Sequence, residues 1–302
     1  MSLLLAILFL AQPTFRSGVE LVRIPVNLER SGDATIAPDA LTTASFTVLE
    51  DGVPQQVSLF ERESVPLRLC IVLDISHSMI DPLASRLSTG AYGHAITALG
   101  AADEVAVITF AMGTSRVMSW TPAAKAASIP LRLTTEAGTA ILDAVKRAMK
   151  ELDTSTPGRP VILVITDGGE NASFTGLGEL VRSRIQSEAQ IHAFQIAGNP
   201  TVTPPSITGR RRPLTDKQTG VKTINVLPQV VNDAGGVIYS INADADVPAA
   251  TEKLFDELRT QYTIGYTPAK PFDGKYRRVK VAVNTPGYSV RHRGGYLAMP
   301  LK

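Results

Sequence analysis

Asp74 is followed by hydroxyl side chains two and four residues on, in the run Asp74-Ile75-Ser76-His77-Ser78, and 93 residues later Asp167 closes VILVITD ahead of Gly168-Gly169. Thr139, after Ala137-Gly138, opens the most clearly periodic helical stretch of the chain. All of these groups offer oxygen and none offers imidazole or thiolate, the donor chemistry of a hard cation such as Mg²⁺, Mn²⁺ or Ca²⁺. Two aspartates only balance a divalent charge, and three neutral hydroxyls are a poor donor set. An ion held this way favours a further anionic oxygen from outside, for example the carboxylate of a partner. The residue types therefore point to recognition before catalysis. Thr139 also has a plainer reading, because threonine is favoured at helix N-caps; taken alone, capping is the better account of it.

The elements that must position these residues are legible in the pattern. Both aspartates end runs that are almost entirely apolar, LRLCIVLD and VILVITD, which suits strands buried on both faces of a parallel sheet. Loops at the carboxyl ends of such strands gather at one edge, where ligands bind. Further strands are expected over Glu104 to Phe110 and Arg116 to Trp120 around a Gly113 turn, and over Ile191 to Ile196 and Val237 to Ile241. Helices are expected over Ala84 to Leu99, Thr139 to Leu152, Gly178 to Ser187 and Val247 to Thr260; the second carries Ile141, Val145, Ala148, Met149 and Leu152 at the 3.6-residue period. Residues 200–228 have little periodicity and include Arg210-Arg211-Arg212-Pro213, so they read as a long exposed loop with a strand or short helix at most. Strands alternating with helices define an α/β, doubly wound, mostly parallel sheet over residues 64–261.

The flanks have a different character. Val22, Ile24, Val26 and Leu28 alternate with polar or prolyl residues, and Phe46 to Glu50 and Gln56 to Phe60 flank Asp51-Gly52, a hairpin signal. After the α/β region, Tyr262 to Tyr266, Tyr276 to Val283 and Tyr288 to Arg293 read as an antiparallel meander. Because domain termini often lie close together, residues 17–63 and 262–302 are expected to pair into one β-sandwich with the α/β domain inserted between them; two unrelated flanks are the competing arrangement.

Composition limits the classes. The 302 residues carry 30 Lys and Arg against 28 Asp and Glu, a net charge of +2 that argues against a globally basic nucleic-acid binder. The average hides an asymmetry: from Lys270 to Lys302 eight basic residues face Asp273 alone. One cysteine, Cys70, excludes an internal disulfide framework and a zinc site built from several thiolates. The opening MSLLLAILFLA is apolar apart from Ser2 but shorter than the roughly 20 residues that cross a bilayer. Residues 1–16 read as an export signal lacking a basic start and a good cleavage site, which implies a periplasmic or secreted protein; a buried first strand or a membrane-associated anchor is the competing reading. No transmembrane helix is expected elsewhere.

Asp74-x-Ser76-x-Ser78, Gly138-Thr139 and Thr166-Asp167-Gly168 resemble, in order and spacing, the metal-ion-dependent adhesion site (MIDAS) of von Willebrand factor type A (VWA) domains. The flanking FTVLEDGVPQQVSLFE, LRTQYTIGYTP, YRRVKVAV and GYSVRHRGGYLA are similar to the VWFA-related proteins abundant in acidobacteria. The resemblance covers nearly the whole chain. It implies a Rossmann-like fold, hydroxyl ligands at Ser76, Ser78 and Thr139, Asp74 and Asp167 binding directly or through water, Mg²⁺ as the usual ion, and a protein partner presenting an aspartate or glutamate. Two positions depart from the pattern: His77 stands where such sites usually have glycine, and Ala137 where many relatives have a second one. Neither is a ligand position.

Two other classes compete with a metal-dependent binding module. A phosphoryl-transfer hydrolase using Asp74 as nucleophile would need a second carboxylate two residues on, where Ser76 stands; no phosphate-binding GxxxxGK[ST] loop occurs, and His77, His94, His192 and His292 have no metal-ligand spacing. A structural or envelope-anchoring module would bind an anionic polymer through the basic C-terminal sheet, where Arg278 and Lys280 alternate with Val279 and Val281.

Overall fold

Asp51 and Gly52 both adopt left-handed backbone, with φ of 49° and 83°, the two-residue turn that an Asp-Gly pair favours. In the computed structural model, which describes residues 21–300 apart from 32–34, 63–64, 132, 153–156, 186, 198–213, 216–221 and 233, this turn joins two of the four opening strands. These are β1 (Val22–Arg30), β2 (Phe46–Glu50), β3 (Val53–Gln55) and β4 (Val57–Arg62). The hairpin partner of β2 is β3, not the run beginning at Gln56. After β3 the chain changes sheet, and β4 pairs with a strand 200 residues away. The export-signal reading of residues 1–16 lies outside the described residues.

The middle of the chain alternates strands and helices: β5 (Leu67–Asp74), α1 (Pro82–Thr97), β6 (Glu104–Phe110), β7 (Thr114–Pro122), the short α2 (Ala123–Ala126), α3 (Ile141–Leu152), β8 (Arg159–Thr166), β9 (Gly169–Glu170), α4 (Leu177–Ile185), β10 (Gln190–Ile196), β11 (Leu214–Thr215), β12 (Lys222–Asn225), α5 (Leu227–Asn232), β13 (Ile238–Ile241) and α6 (Asp246–Arg259). Six strands form one sheet in the order β13-β10-β8-β5-β6-β7, parallel except for the antiparallel edge strand β7. Along β5, Leu69, Ile71 and Leu73 join a core with α1 and α6, while Cys70 and Val72 join a second core with α3, α4 and α5. Both faces are covered, which is why polar alternation is missing from these strands. Burial pushes the Cys70 thiol up to about 12, so it acts as a small apolar core group.

The stretch read as a long exposed loop is more ordered than its sequence suggests. Its described part holds β11 and β12, paired with each other and, through β12, with β9, and α5 begins inside it at Leu227, which is buried. Short pairing partners far apart in sequence carry no periodicity of their own.

The chain closes with β14 (Tyr262–Tyr266), β15 (Tyr276–Val283), β16 (Tyr288–His292) and β17 (Gly295–Leu297). Two four-stranded sheets, β16-β1-β14-β4 and β17-β15-β2-β3, each mix early and late strands. Ile24, Val26, Val48, Ile264, Val279 and Val281 meet in one cluster between them, so the two flanks build a single β-sandwich around the α/β sheet. Residue Glu50, 1% exposed, is held inside it: its Oε2 accepts from the hydroxyls of Tyr266 (2.9 Å) and Tyr296 (2.8 Å), and its Oε1 faces Arg277 Nη1 at 3.5 Å.

The sandwich neutralises much of the basic tract. Lys270 pairs with Asp51, Lys275 and Arg277 with Asp273, and Arg291 with Glu29 and Glu257. Arg278 and Lys280 remain on the exposed face of β15, with Val279 and Val281 buried. The last pairing also ties the two halves together, because Glu257 at the end of α6 accepts from Asn27 of β1 (3.0 Å) and Tyr239 of β13 (3.1 Å) as well. Among the described residues no helix is long and apolar enough to cross a membrane.

Candidate functional site

From β5 the chain runs through α1, on one face of the sheet, to β6 on one side of β5; from β8, on the other side, it runs through α4 on the opposite face to β10. The carboxyl ends of β5 and β8 thus form the point where the winding reverses, and there the two loops diverge and leave a crevice. Asp74 is the last residue of β5, and Asp167 follows the last residue of β8.

Three loops meet at this crevice and are laced by main-chain hydrogen bonds. Glu136 N–H donates to the Ile75 carbonyl (3.1 Å), alongside a bridge between Ser76 and Glu136. The Thr139 carbonyl accepts from Asn171 N–H (3.0 Å) and Ala172 N–H (3.2 Å), and Thr139 N–H donates to Asn171 Oδ1 (2.8 Å). Gly138 makes the turn at φ 81°; a Cβ there would meet the Cβ atoms of Met112 and Ala172 at 3.2 Å each. Glycine is required by the left-handed backbone and by the close approach of both neighbours. Ala137 meets no such demand, and the missing second glycine of the sequence pattern leaves this turn intact.

Asp74 is 2% exposed. Its Oδ1 accepts from Ser76 N–H (2.8 Å) and its Oδ2 from the Thr166 hydroxyl (2.5 Å). Thr166 Oγ1 in turn accepts from Gly168 N–H at 3.0 Å, so one buried hydroxyl fixes both aspartate loops. Burial pushes the Asp74 carboxyl up to about 7, the negative charge of Asp167 adds to that push, and the hydrogen bonds from Ser76 and Thr166 oppose it. Ser76 is buried and its Oγ lies 3.1 Å from that of the exposed Ser78. Asp167 is half-buried, with Oδ1 accepting from Gly169 N–H at 3.1 Å. The exposed His77 begins the turn that follows Ser76.

Thr139 is not the cap of α3. That helix starts at Ile141, and its first N–H groups are satisfied from another loop: Leu142 N–H donates to Glu170 Oε2 (3.1 Å) and Asp143 N–H to Ser173 Oγ (3.2 Å). Thr139 is 5% exposed, and among the described residues its hydroxyl makes no hydrogen bond. Local sequence favoured capping because an N-cap is defined by its neighbours along the chain, whereas here the capping groups come from about 30 residues away. Thr166, Glu170, Asn171 and Ser173 are the site-forming residues that sequence reasoning missed. The one available signal was a run of small polar residues, longer than a turn requires, after Asp167.

The structure therefore brings Asp74, Ser76, Ser78, Thr139 and Asp167 onto adjoining loops at one edge. Among the described residues no three His, Cys, Asp or Glu side chains are grouped to hold a metal; two carboxylates with three hydroxyls are a different kind of donor set. Among the described residues no Lys, Arg or His forms an ion pair with Asp74, and the charge acting on it is that of Asp167. A hard divalent cation fits that chemistry, since the site supplies oxygen donors and, among the described residues, no ion-paired basic side chain.

No family model matches the chain, and no curated protein sequence resembles it. Solved structures do. A von Willebrand factor type A protein from Catenulispora acidiphila superposes over 94% of this chain and 75% of its own, at 13% identity and a TM-score of 0.51. BatB from Bacteroides thetaiotaomicron covers 64% of this chain and 99% of its own (21% identity, TM-score 0.48). Proximal thread matrix protein 1 from the mussel byssus, which has a zinc-occupied MIDAS motif, covers 70% and 50% (16% identity, TM-score 0.49). The sheet order and the Catenulispora match define the class: this chain has a VWA fold. In particular, it is a VWA fold inserted in sequence between two flanking segments whose strands assemble a β-sandwich.

Proposed function

We propose that the α/β unit binds a protein partner through a divalent cation, Mg²⁺ with Mn²⁺ or Ca²⁺ as substitutes. Asp74, Ser76, Ser78, Thr139 and Asp167 hold the ion, and an aspartate or glutamate of the partner completes its coordination. The observation that supports this reading is the convergence, at the reversal point of the sheet, of a buried carboxylate beside a second one, with three hydroxyls and, among the described residues, no ion-paired basic side chain. The cation supplies the positive charge that makes the ionised form of Asp74 favourable. Thr166 and the Ser76 amide orient Asp74, and the Asn171 contacts hold the Thr139 turn against the third loop.

Binding rather than catalysis is the chemistry proposed, because Ser76 occupies the place where a nucleophilic aspartate would need its acid or base. The apolar start of the chain supports an exported, periplasmic or secreted setting. Arg278 and Lys280 stay exposed on the sheet face, while Lys270, Lys275, Arg277 and Arg291 around it have acidic partners.

Titration calorimetry of Mg²⁺ into the full chain tests the proposal. Asp74→Asn keeps a side-chain oxygen to accept from the Ser76 amide and should weaken Mg²⁺ more than about 100-fold, beyond the loss typical of removing an outer-shell partner. Unchanged affinity in that variant refutes the site.

A further inference from the structure

Three large apolar side chains stand in water around the candidate metal site, one from each region that meets there. Ile80, two residues after Ser78, is 47% exposed; Met112, against the Gly138 turn, is 60% exposed; and Phe174, two residues after Ala172, is 95% exposed. Isolated exposed apolar residues are ordinary on protein surfaces. Phe174 is unusual because its loop is fixed. Ala172 N–H and Ser173 N–H donate to Glu170 Oε1 at 3.0 and 2.9 Å, and the Ser173 hydroxyl donates to Glu170 Oε2 at 2.8 Å. Phe174 N–H and Thr175 N–H donate to the two oxygens of Asp143 at 2.9 and 2.8 Å. Hydrogen bonds from Thr175 and Phe174 hold the Asp143 carboxyl below the usual carboxylate range despite the opposing effect of burial. Five hydrogen bonds therefore order a loop whose aromatic ring is 95% exposed and packs on no described residue.

A rigid aromatic side chain loses little conformational freedom when a partner covers it, which is the property of interface anchors. Met112 is the adaptable counterpart, able to fit irregular apolar shapes. Resting on the metal-dependent reading above, we propose that Phe174 and Met112 set the specificity of the site, and that the occupant is a protein segment with large apolar side chains within about three residues of its coordinating aspartate or glutamate. The site's need for an anionic oxygen and its apolar rim are complementary to that pairing. An acidic polysaccharide or a phosphate would satisfy the ion and leave the exposed rings in water.

The test is selection of the full chain against a random peptide library displayed on phage in Mg²⁺ buffer, with elution by chelator. The expected outcome is a set of chelator-eluted peptides that pair Asp or Glu with Phe, Leu, Ile or Met within three positions. Phe174→Ser should weaken a selected peptide at least tenfold while Mg²⁺ affinity and Tm stay at the wild-type values. Acidic peptides without apolar enrichment, salt-eluted acidic peptides, or Phe174→Ser binding within twofold of wild type would each overturn the specificity proposal and leave metal binding standing. A chain that binds Mg²⁺ but yields no chelator-eluted peptide overturns it too. A chain that binds no Mg²⁺ by calorimetry overturns the proposed function and this inference together.

Discussion

Two of the buried carboxylates, Glu50 and Asp74, stand in opposite circumstances. Glu50, in the sandwich, is 1% exposed and faces the Arg277 guanidinium and two tyrosine hydroxyls. Burial and the neighbouring Glu50 push the hydroxyls of Tyr266 and Tyr296 well above the usual tyrosine range, so both remain protonated donors. Asp74, in the α/β sheet, is 2% exposed and receives an amide and a hydroxyl, but the charge it feels is that of Asp167. A buried charge is costly unless paired. The sandwich carries its cation in its own sequence, whereas among the described residues no basic side chain pairs with Asp74. By this difference a structural carboxylate and a candidate binding carboxylate can be told apart at equal burial.

The comparison can be broken most forcefully on the sandwich side. Glu50→Ala leaves the Tyr266 and Tyr296 hydroxyls without their acceptor and Arg277 with Asp273 as its remaining carboxylate, and should cost about 3 kcal/mol in denaturant unfolding, with no gain from added Mg²⁺ beyond that of the wild type. Asp74→Asn should do the reverse, removing about 100-fold in Mg²⁺ affinity, or about 2.7 kcal/mol, while the metal-free protein unfolds at the wild-type denaturant concentration or above it.

The pH response sharpens the contrast further. With Asp74 raised to about 7, the native metal-free state holds a proton between about pH 4 and 7 that the unfolded chain has released, so stability falls as pH rises through that window. Burial depresses His192 to about 3, and its contribution has the opposite sign: stability is lost as pH falls from the ordinary histidine range toward 3. Subtracting the Asp74→Asn profile from the wild-type profile cancels the histidine contribution. The difference should be about 1–2 kcal/mol across the window, inside the ceiling of about 1.4 kcal/mol per pH unit, and saturating Mg²⁺ should abolish it. A flat difference in scanning calorimetry would place Asp74 in the same class as Glu50.

The smallest expected effects separate ligand from cap. Thr139→Val keeps the shape and should lower Mg²⁺ affinity about tenfold, or 1.4 kcal/mol, without moving Tm. Ser173→Ala removes the acceptor for Asp143 N–H and should cost about 1 kcal/mol of stability. Thr139→Val lowering Tm as much as Ser173→Ala would restore Thr139 to a capping role.

Sequence reading succeeded where the information is local. The unbroken apolar runs ending at Asp74 and Asp167, and the 3.6-residue period from Ile141 to Leu152, correspond to β5, β8 and α3. It failed where partners are remote. The cap of α3 comes from Glu170 and Ser173, β12 pairs with Gly169 and Glu170 and carries β11 on its other side, and the strand after the Asp51-Gly52 turn splits between two sheets. Part of the basic C-terminal tract finds acidic partners from elsewhere in the chain, Glu29, Glu50, Asp51 and Glu257, while Arg278 and Lys280 stay on the exposed face.

By itself the sequence determined the donor chemistry, oxygen without nitrogen or sulfur, and the strand ends and helix start that carry it, because side-chain identity and hydrophobic period are properties of neighbouring residues. Only the tertiary structure decided which buried charges are neutralised within the chain and which are not. Neutralisation depends on distance and burial in space, and Arg277 reaches Glu50 across more than 200 residues of sequence while no basic side chain pairs with Asp74 among the described residues.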